Sequence, residues 1–177
     1  MTSQPFWKTK RLAEMTRAEW ESLCDGCARC CLIKLEDIDS GEIATTNLVC
    51  KLLDIGKCRC SDYRNRSTRV PDCHTLTPRL IGELSWLPST CAYRVLDEGG
   101  ELAWWHPLVS GDPDTVHEAG ISVRQYAVSE AKVPEDRWGD YVMAVEKSGS
   151  FNPPKPQPQP PKWPGVAKAS KNPKPRR

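Results

Sequence analysis

A helical pattern of apolar residues leads into the first cysteines. Thr16 and Glu19 have the spacing of a capping box, in which each side chain bonds to the backbone amide of the other. Trp20 and Leu23 then fall on one face of the helix that begins there. The sequence therefore predicts a short helix that buries this face and runs directly into Cys24.

A strand-like pattern follows the cysteines. Residues 32–35 and 43–49 are mostly apolar stretches, and Asp39-Ser-Gly41 between them is a turn signal. We predict an antiparallel hairpin whose second strand brings Cys50 back beside the first cysteines.

The rest of the body is predicted from shorter patterns. Thr77 and Pro78 form a helix start, with Thr as N-cap and Pro at the first position, and this helix should end near Pro88. Further predictions are a helix over 91–96 capped by Ser89 or Thr90, strands over 102–105 and 121–128, and a helix over 135–145. The predicted fold class is a small α+β domain. So much of the chain between Cys24 and Cys91 is irregular that the domain needs a cross-link, such as a thiol-bound metal, to be stable.

Composition divides the chain at residue 150. Residues 151–177 hold nine of the sixteen prolines, seven of the 25 basic residues and none of the 23 acidic ones. We therefore predict one cysteine-cluster domain over 1–150 and a disordered Pro/Lys-rich tail over 151–177. The body then carries a net charge of −5, which argues against nucleic-acid binding as its primary role.

The cysteines indicate a metal site. Charges interrupt the N-terminus, and no segment has about 20 consecutive apolar residues, so we expect a cytoplasmic protein that does not enter a membrane. Disulfides are rare in a reducing compartment, and nine cysteines, an odd number, cannot all pair with one another. The sequence therefore favours metal ligation over a disulfide framework. The predicted ligands are Cys24, Cys27, Cys30, Cys31, Cys50, Cys58, Cys60 and Cys73.

The spacing leaves the metal open. Wound as a helix or folded as a loop at Gly26, residues 24–31 bring their four thiols together. Nine thiols are enough for two tetrahedral zinc sites or for a two-metal centre with a bridging thiolate. The run C-x2-C-x2-C also occurs in iron–sulfur ferredoxins, but here Cys31 follows Cys30 directly, where the ferredoxin run has a three-residue gap. Zinc, iron and an iron–sulfur cluster all remain candidates.

Other features carry alternatives. Cys30-Cys31 could form a strained, redox-sensing disulfide, Cys91 could be a ligand or an ordinary buried thiol, and His74 is the best imidazole candidate. The tryptophans Trp86, Trp104 and Trp105 are predicted to be core or lid residues, with His106 a packed ring beneath them. Asp25 is predicted to be a turn residue or an acceptor behind the ligands.

The basic residues between 57 and 69 have two interpretations. They can offset the negative charge of a thiolate site, or they can form a patch for an anion or nucleic acid, and we favour the first. The sequence contains no glycine-rich phosphate loop, Ser-His-Asp array or paired catalytic carboxylates, so it leaves open whether the protein is an enzyme.

The order of these motifs resembles one known family. The matching stretches run from about Pro5 to Val128 and are Pro5-Phe6-Trp7, Glu19 to Cys27, Cys58-x-Cys60, Pro71-Asp72-Cys73, Trp86 to Pro88, Thr90 to Tyr93 and Trp105 to Leu108. The chain in this respect is similar to the YcgN/YkgJ-type cysteine-cluster proteins, whose domain is described as zinc- or iron-chelating. The resemblance implies a bacterial metal-binding protein of uncharacterised cellular role. The alternatives are an iron–sulfur redox or electron-transfer protein and a nucleic-acid-associated factor.

Overall fold

Short helices and short strands alternate along the chain. The computed structural model describes residues 4–143 and the backbone of residues 168–170. The α-helices are α1 (Phe6–Thr9), α2 (Arg17–Ser22), α3 (Arg66–Arg69), α4 (Pro78–Ile81), α5 (Ala92–Asp97), α6 (Pro107–Ser110) and α7 (Thr115–Glu118). The strands are β1 (Leu32–Glu36), β2 (Ile43–Val49), β3 (Leu53–Asp54), β4 (Arg59–Cys60), β5 (Val128–Ser129) and β6 (Lys168–Ser170). The predicted small α+β fold is confirmed.

Short 3-10 helices of three to seven residues join these elements. They lie at Leu12–Glu14, Arg29–Cys31, Val123–Gln125, Glu130–Lys132 and Glu135–Tyr141. Within the part of the chain that the structure describes, no helix is long and apolar enough to cross a membrane.

The capping box at the start of α2 forms as predicted. The Thr16 hydroxyl accepts from the Glu19 amide at 3.3 Å, and the Glu19 carboxylate accepts from the Thr16 amide at 2.8 Å. Leu23 follows the helix and is fully buried, and Tyr93 donates its hydroxyl to the Trp20 carbonyl at 2.9 Å. The cap thus sets the point at which the chain enters Cys24.

The predicted hairpin is the centre of the larger sheet. β1 and β2 are antiparallel, and the Cys50 amide donates to the Cys31 carbonyl at 3.0 Å, so the second strand does return Cys50 to the cysteine run. The sheet has the order β5-β2-β1-β6, in which β5 runs parallel to β2 and β6 antiparallel to β1. A second small sheet pairs β3 with β4, opposing Leu53 to Cys60.

An irregularity in the hairpin buries a threonine. The register shifts between Leu32 and Lys34, and Thr46 on β2 lies opposite the shift with no exposed surface. Its hydroxyl donates to the Ile33 carbonyl at 3.0 Å and accepts from the Leu48 amide at 3.1 Å. The side chain therefore supplies the hydrogen bonds that the interrupted strand ladder lacks.

Two of the predicted strands are wrong. At 102–105 the His106 amide bonds to the Ala103 carbonyl, so this segment is a turn leading to α6 and not a strand. In 121–128 the Val123 amide donates to the Cys27 carbonyl at 3.0 Å, and a 3-10 turn follows. Only Val128 of that range belongs to a strand. In the second segment, the hydrogen bond to the distant Cys27 replaces strand pairing, and hydrophobic periodicity does not report such a contact.

Three helix predictions also need correction, and the first concerns α4, which starts with the predicted Thr77 cap but ends at Ile81 and not near Pro88. Cys91, and neither Ser89 nor Thr90, is the N-cap residue of α5. The last predicted helix is a 3-10 helix that ends at Tyr141, after which Val142 forms an isolated bridge with Thr46. The tight turn lets the Trp138 indole donate to the Val133 carbonyl at 3.1 Å. Residues 144 and 145 of the prediction lie outside the described residues.

Within the predicted tail, the structure describes only residues 168–170. Lys168–Ser170 forms β6 along the edge of β1, opposite Lys34 to Glu36, and the sequence analysis did not predict this strand. The prediction of disorder for the rest of 151–177 falls outside the described residues.

Candidate functional site

Residues 24–31, the cysteine loop, lie where separate parts of the hydrophobic core meet. Cys27 packs with Val116 and Ile121 in one buried cluster, and Ala28 belongs to the cluster of Leu32 and Val49. Cys30 packs against a third cluster, which contains Leu23 and Tyr93. The loop is therefore held from three sides.

Local turns give the loop its shape. Gly26 has φ +78° and Ala28 φ +58°, both left-handed, so the stretch is a loop and not a continuation of α2. The Asp25 carboxylate accepts from the Cys27 amide at 3.0 Å, which confirms its predicted turn role. A Cβ on Gly26 would lie 3.4 Å from the Arg59 guanidinium, so Arg59 of β4 packs over this turn.

A buried histidine fixes the entry to the loop. His106 is 2% exposed, and its Nδ1 accepts from the Leu108 amide at 3.1 Å. Its Nε2 must then carry the proton, which it donates to the Leu23 carbonyl at 2.9 Å. The predicted packed ring is confirmed, and the 63% exposure of Trp104 excludes the core alternative for that residue.

Replacing His106 by leucine should lower the free energy of unfolding by about 1–3 kcal/mol, because the buried Leu23 carbonyl loses its donor. His106→Gln can still present an N–H near the Nε2 position and should lose less. Urea unfolding of both variants in the presence of a chelator measures the difference. Equal losses in the two variants would show that the hydrogen bond has no separate value.

Several of the predicted ligands lie within electrostatic reach of Cys30. The charge of the Cys30 thiolate raises the pKa of five other thiols, after the dominant effect of burial in four of them. Those five belong to Cys24, Cys27, Cys31, Cys73 and Cys91. Because such interactions act only over short distances, one region collects sulfurs from the cysteine loop, from the turn after α3 and from the start of α5.

Two more predicted ligands join this region through their neighbours. The Cys50 thiolate raises the pKa of both Cys31 and Cys73, and the Cys60 thiolate raises that of Cys73. Apart from Cys58, the predicted cysteines are thus linked into one electrostatic group, and none of the nine cysteines is in a disulfide.

The adjacent pair has opposite shifts. The Cys31 S–H can donate to the Cys30 sulfur, which lowers the pKa of Cys30 and raises that of Cys31. Cys24 is the exposed residue of the loop, but the protein around its sulfur raises its pKa to about 12. Burial likewise raises the pKa of Cys91 to about 12. Most of these thiols therefore stay protonated until a cation offsets the negative charge of the thiolate form.

Cys58 lies in a different environment. It is buried among Ala28, Leu53 and Val123, has φ +50°, and donates its thiol to the Ile55 carbonyl at 3.4 Å. Burial raises the pKa of its thiol, and the strongest opposing influences are Arg124 and Ser122. Its main electrostatic partners are thus not other cysteines.

Lys34 is a residue that the sequence analysis missed. It is 1% exposed, and its ammonium donates to the carbonyls of Arg29, Cys30 and Leu32 at 3.3, 3.0 and 2.6 Å. The same group lies 4.7 Å from the centre of the Trp86 ring. Burial lowers the pKa of Lys34 to about 8, and the thiolates of Cys30 and Cys31 oppose this. Strand alternation was the available signal, because Lys34 lies two residues after the buried Leu32.

A buried arginine was missed as well. Arg29 is 2% exposed, and its guanidinium donates to the Thr90 hydroxyl at 2.6 Å, next to the N-cap Cys91. Burial lowers the pKa of Arg29, and the charge of Cys27 opposes that effect. Two buried cations therefore accompany the thiols.

The basic run has the local role that the sequence favoured. Arg59 lowers the pKa of Cys24 and Arg66 lowers that of Cys73, in both cases against burial. Lys57 pairs with Asp54 at 3.8 Å, Arg69 pairs with Asp62 at 3.0 Å, and Arg66 stacks on Tyr63. No specific observation favours a nucleic-acid site here.

Several buried polar atoms have no hydrogen-bond partner within residues 4–143, and two of them belong to candidate metal ligands or their neighbours. These two are Oδ2 of Asp25 and Nε2 of His74, whose ring lies 5.9 Å from that of Trp86. Across the same residues, no three His, Cys, Asp or Glu side chains are already arranged as a metal site. Thiolates and imidazole are donors that zinc and iron accept. Because no metal site is already arranged among these residues, the cysteine side chains would have to change rotamer to enclose an ion.

Comparison with known proteins places the chain in a family. Residues 23–92, which include all nine cysteines, match the CxxCxxCC family, described as "Putative zinc- or iron-chelating domain". A UPF0260 protein of Sinorhizobium fredii (strain NBRC 101917 / NGR234) is 61% identical over 143 residues, 81% of this chain and 92% of the relative. A UPF0260 protein of Rhizorhabdus wittichii is 65% identical over 127 residues, 72% of this chain and 87% of the relative.

A third relative, from Rhizobium meliloti (strain 1021), is 61% identical over 143 residues, again 81% of this chain and 92% of the relative. No solved structure matches the chain. These identities extend over nearly the whole length of the relatives, and the chain therefore belongs to the UPF0260 family.

Proposed function

We propose that this protein binds zinc or iron through a thiolate site centred on Cys30. The observation that carries the proposal is the packing around the cysteine loop: Cys30 and Cys91 pack against the same buried cluster, and the Cys50 amide donates to the Cys31 carbonyl at 3.0 Å. The electrostatic influence of these thiols on one another supports it. A cation is the group that such a region lacks, because it would stabilise the thiolates that burial now disfavours. The description of the matching domain agrees with this proposal.

The proposed ligand set differs from the sequence prediction at two positions. It keeps Cys24, Cys27, Cys30, Cys31, Cys50, Cys60 and Cys73 as candidates. Cys91 is added because the Cys30 charge reaches its thiol, and Cys58 is left out because Arg124 and Ser122 are its main partners. His74 stays a candidate through its unpartnered nitrogen.

The bound group decides the class of function. Zinc in an all-protein shell would stabilise the fold, whereas an iron–sulfur cluster would add electron transfer. In both cases the chain's own part is to exclude water with the surrounding core and to hold the thiolates beside the buried cations Lys34 and Arg29. Since free thiols persist in a reducing compartment, the proposal places the protein in the cytoplasm.

Metal analysis of protein purified without oxygen tests the proposal. We expect zinc or iron near a whole-number ratio to protein, with a colourless product for zinc and a brown one for an iron–sulfur cluster. Protein that contains neither metal and takes up neither from solution would refute it.

Two serine variants test the ligand set. Cys91→Ser should lose most of the metal, and Cys58→Ser, its matched control, should retain the wild-type content. The reverse result would restore the ligands that the sequence predicted.

A further inference from the structure

Only one of the two carboxylate oxygens of Asp25 has a hydrogen-bond partner within the described residues. The residue is 6% exposed, and Oδ1 accepts the Cys27 amide at 3.0 Å. Oδ2 is buried and has no hydrogen-bond partner in the described part of the chain. Buried carboxylate oxygens are normally satisfied, because desolvating them without a partner costs free energy. The turn explains Oδ1 alone, so Oδ2 calls for a separate explanation.

The surroundings of Asp25 are the thiols of the proposed site. Asp25 directly follows Cys24 in the cysteine loop, and its Oδ1 already accepts the Cys27 amide. A carboxylate placed among groups that must become thiolates is repulsive as long as no cation is present. The same carboxylate becomes favourable once an ion lies between them.

The cations nearby do not account for Oδ2. Asp25 influences the pKa of Arg29 and of His117, but Arg29 directs its guanidinium to the Thr90 hydroxyl. Neither residue forms a hydrogen bond to Oδ2 within the described residues. The atom is therefore available to a ligand from outside the described residues.

We propose that Asp25 Oδ2 is an oxygen ligand of the metal bound by the cysteine loop, which gives that metal a mixed sulfur and oxygen shell. This inference rests on the proposed function. It accounts for both oxygens, because Oδ1 orients the loop while Oδ2 meets the ion. Zinc accepts such mixed shells, with Zn–O distances of about 2.0–2.2 Å beside Zn–S distances of about 2.3 Å.

X-ray absorption spectroscopy of the zinc-loaded full-length chain tests the inference. The wild type should show a light-atom shell at about 2.0–2.2 Å together with sulfur at about 2.3 Å. Asp25→Asn keeps an oxygen for the Cys27 amide but replaces a charged donor atom. It should lose the light-atom shell, keep the sulfur shell and bind zinc at least about tenfold more weakly.

The matched control is Asp37→Asn. Asp37 makes the same kind of turn, with Oδ1 accepting the Asp39 amide at 3.0 Å, but it is only partly buried and lies on the β1–β2 turn. This variant should leave spectrum and affinity unchanged.

Three outcomes would count against the inference. A wild-type shell of sulfur alone overturns it and needs no variant, and a light-atom shell that survives in Asp25→Asn overturns it in favour of another donor such as His74. Both results leave the proposed function standing. A wild type that binds no metal overturns the proposed function and this inference with it.

Discussion

Cys30→Ser is expected to abolish the stabilisation that zinc gives to this protein. At a free zinc concentration a thousand times the dissociation constant, that stabilisation is about 4 kcal/mol of unfolding free energy. Cys30 is the thiol to which Cys24, Cys27, Cys31, Cys73 and Cys91 all respond, so its loss removes the centre of the site. The measurement is urea unfolding of wild type and variant, each with zinc and with a chelator.

The control for this experiment is Cys58→Ser. Its thiol is buried as well, but it donates to the Ile55 carbonyl, and Arg124 and Ser122 are its main electrostatic partners. We expect it to lower stability with and without zinc by the same amount, so that the zinc increment stays at its wild-type value. A full increment in Cys30→Ser would mean that zinc binds somewhere else.

Lys34→Met is expected to lower the free energy of unfolding by about 2–4 kcal/mol. Each hydrogen bond from a charged donor contributes about 1.5–3 kcal/mol, and Lys34 donates to three carbonyls. Relief of the cost of burying the ammonium offsets part of the loss. Urea unfolding of the chelator-treated protein measures the change.

Lys132→Met serves as the matched control, because Lys132 is exposed and should change stability by less than about 0.5 kcal/mol. The two losses would be equal if Lys34 had no special role. A more stable Lys34→Met would show that the desolvation cost exceeds the value of the three hydrogen bonds.

Local signals explain what the sequence could predict. The Thr16–Glu19 box and the β1–β2 hairpin depend on residues close in sequence, and both form as predicted. The return of Cys50 to Cys31 followed from the hairpin alone.

Long-range packing explains what it could not. Cys58 and Cys60 are a close pair in sequence, but β4 carries Cys60 towards Cys73 while the left-handed turn at Cys58 leaves that thiol against Arg124. The charge of Cys30 reaches the Cys91 thiol from far away in the sequence, next to the Thr90 hydroxyl to which Arg29 donates. The burial of Lys34 likewise depends on Trp86, more than fifty residues away in the chain.

Hydrogen bonds from beyond residue 92 hold the cysteine loop in place. Two of its backbone carbonyls are capped from outside residues 23–92, that of Leu23 by His106 and that of Cys27 by Val123. A fragment trimmed to the matched segment would expose both acceptors to solvent. It would also lose the packing of Val116 and Ile121 against Cys27. The shortest piece able to fold by itself must therefore extend beyond Val123, well past the last cysteine.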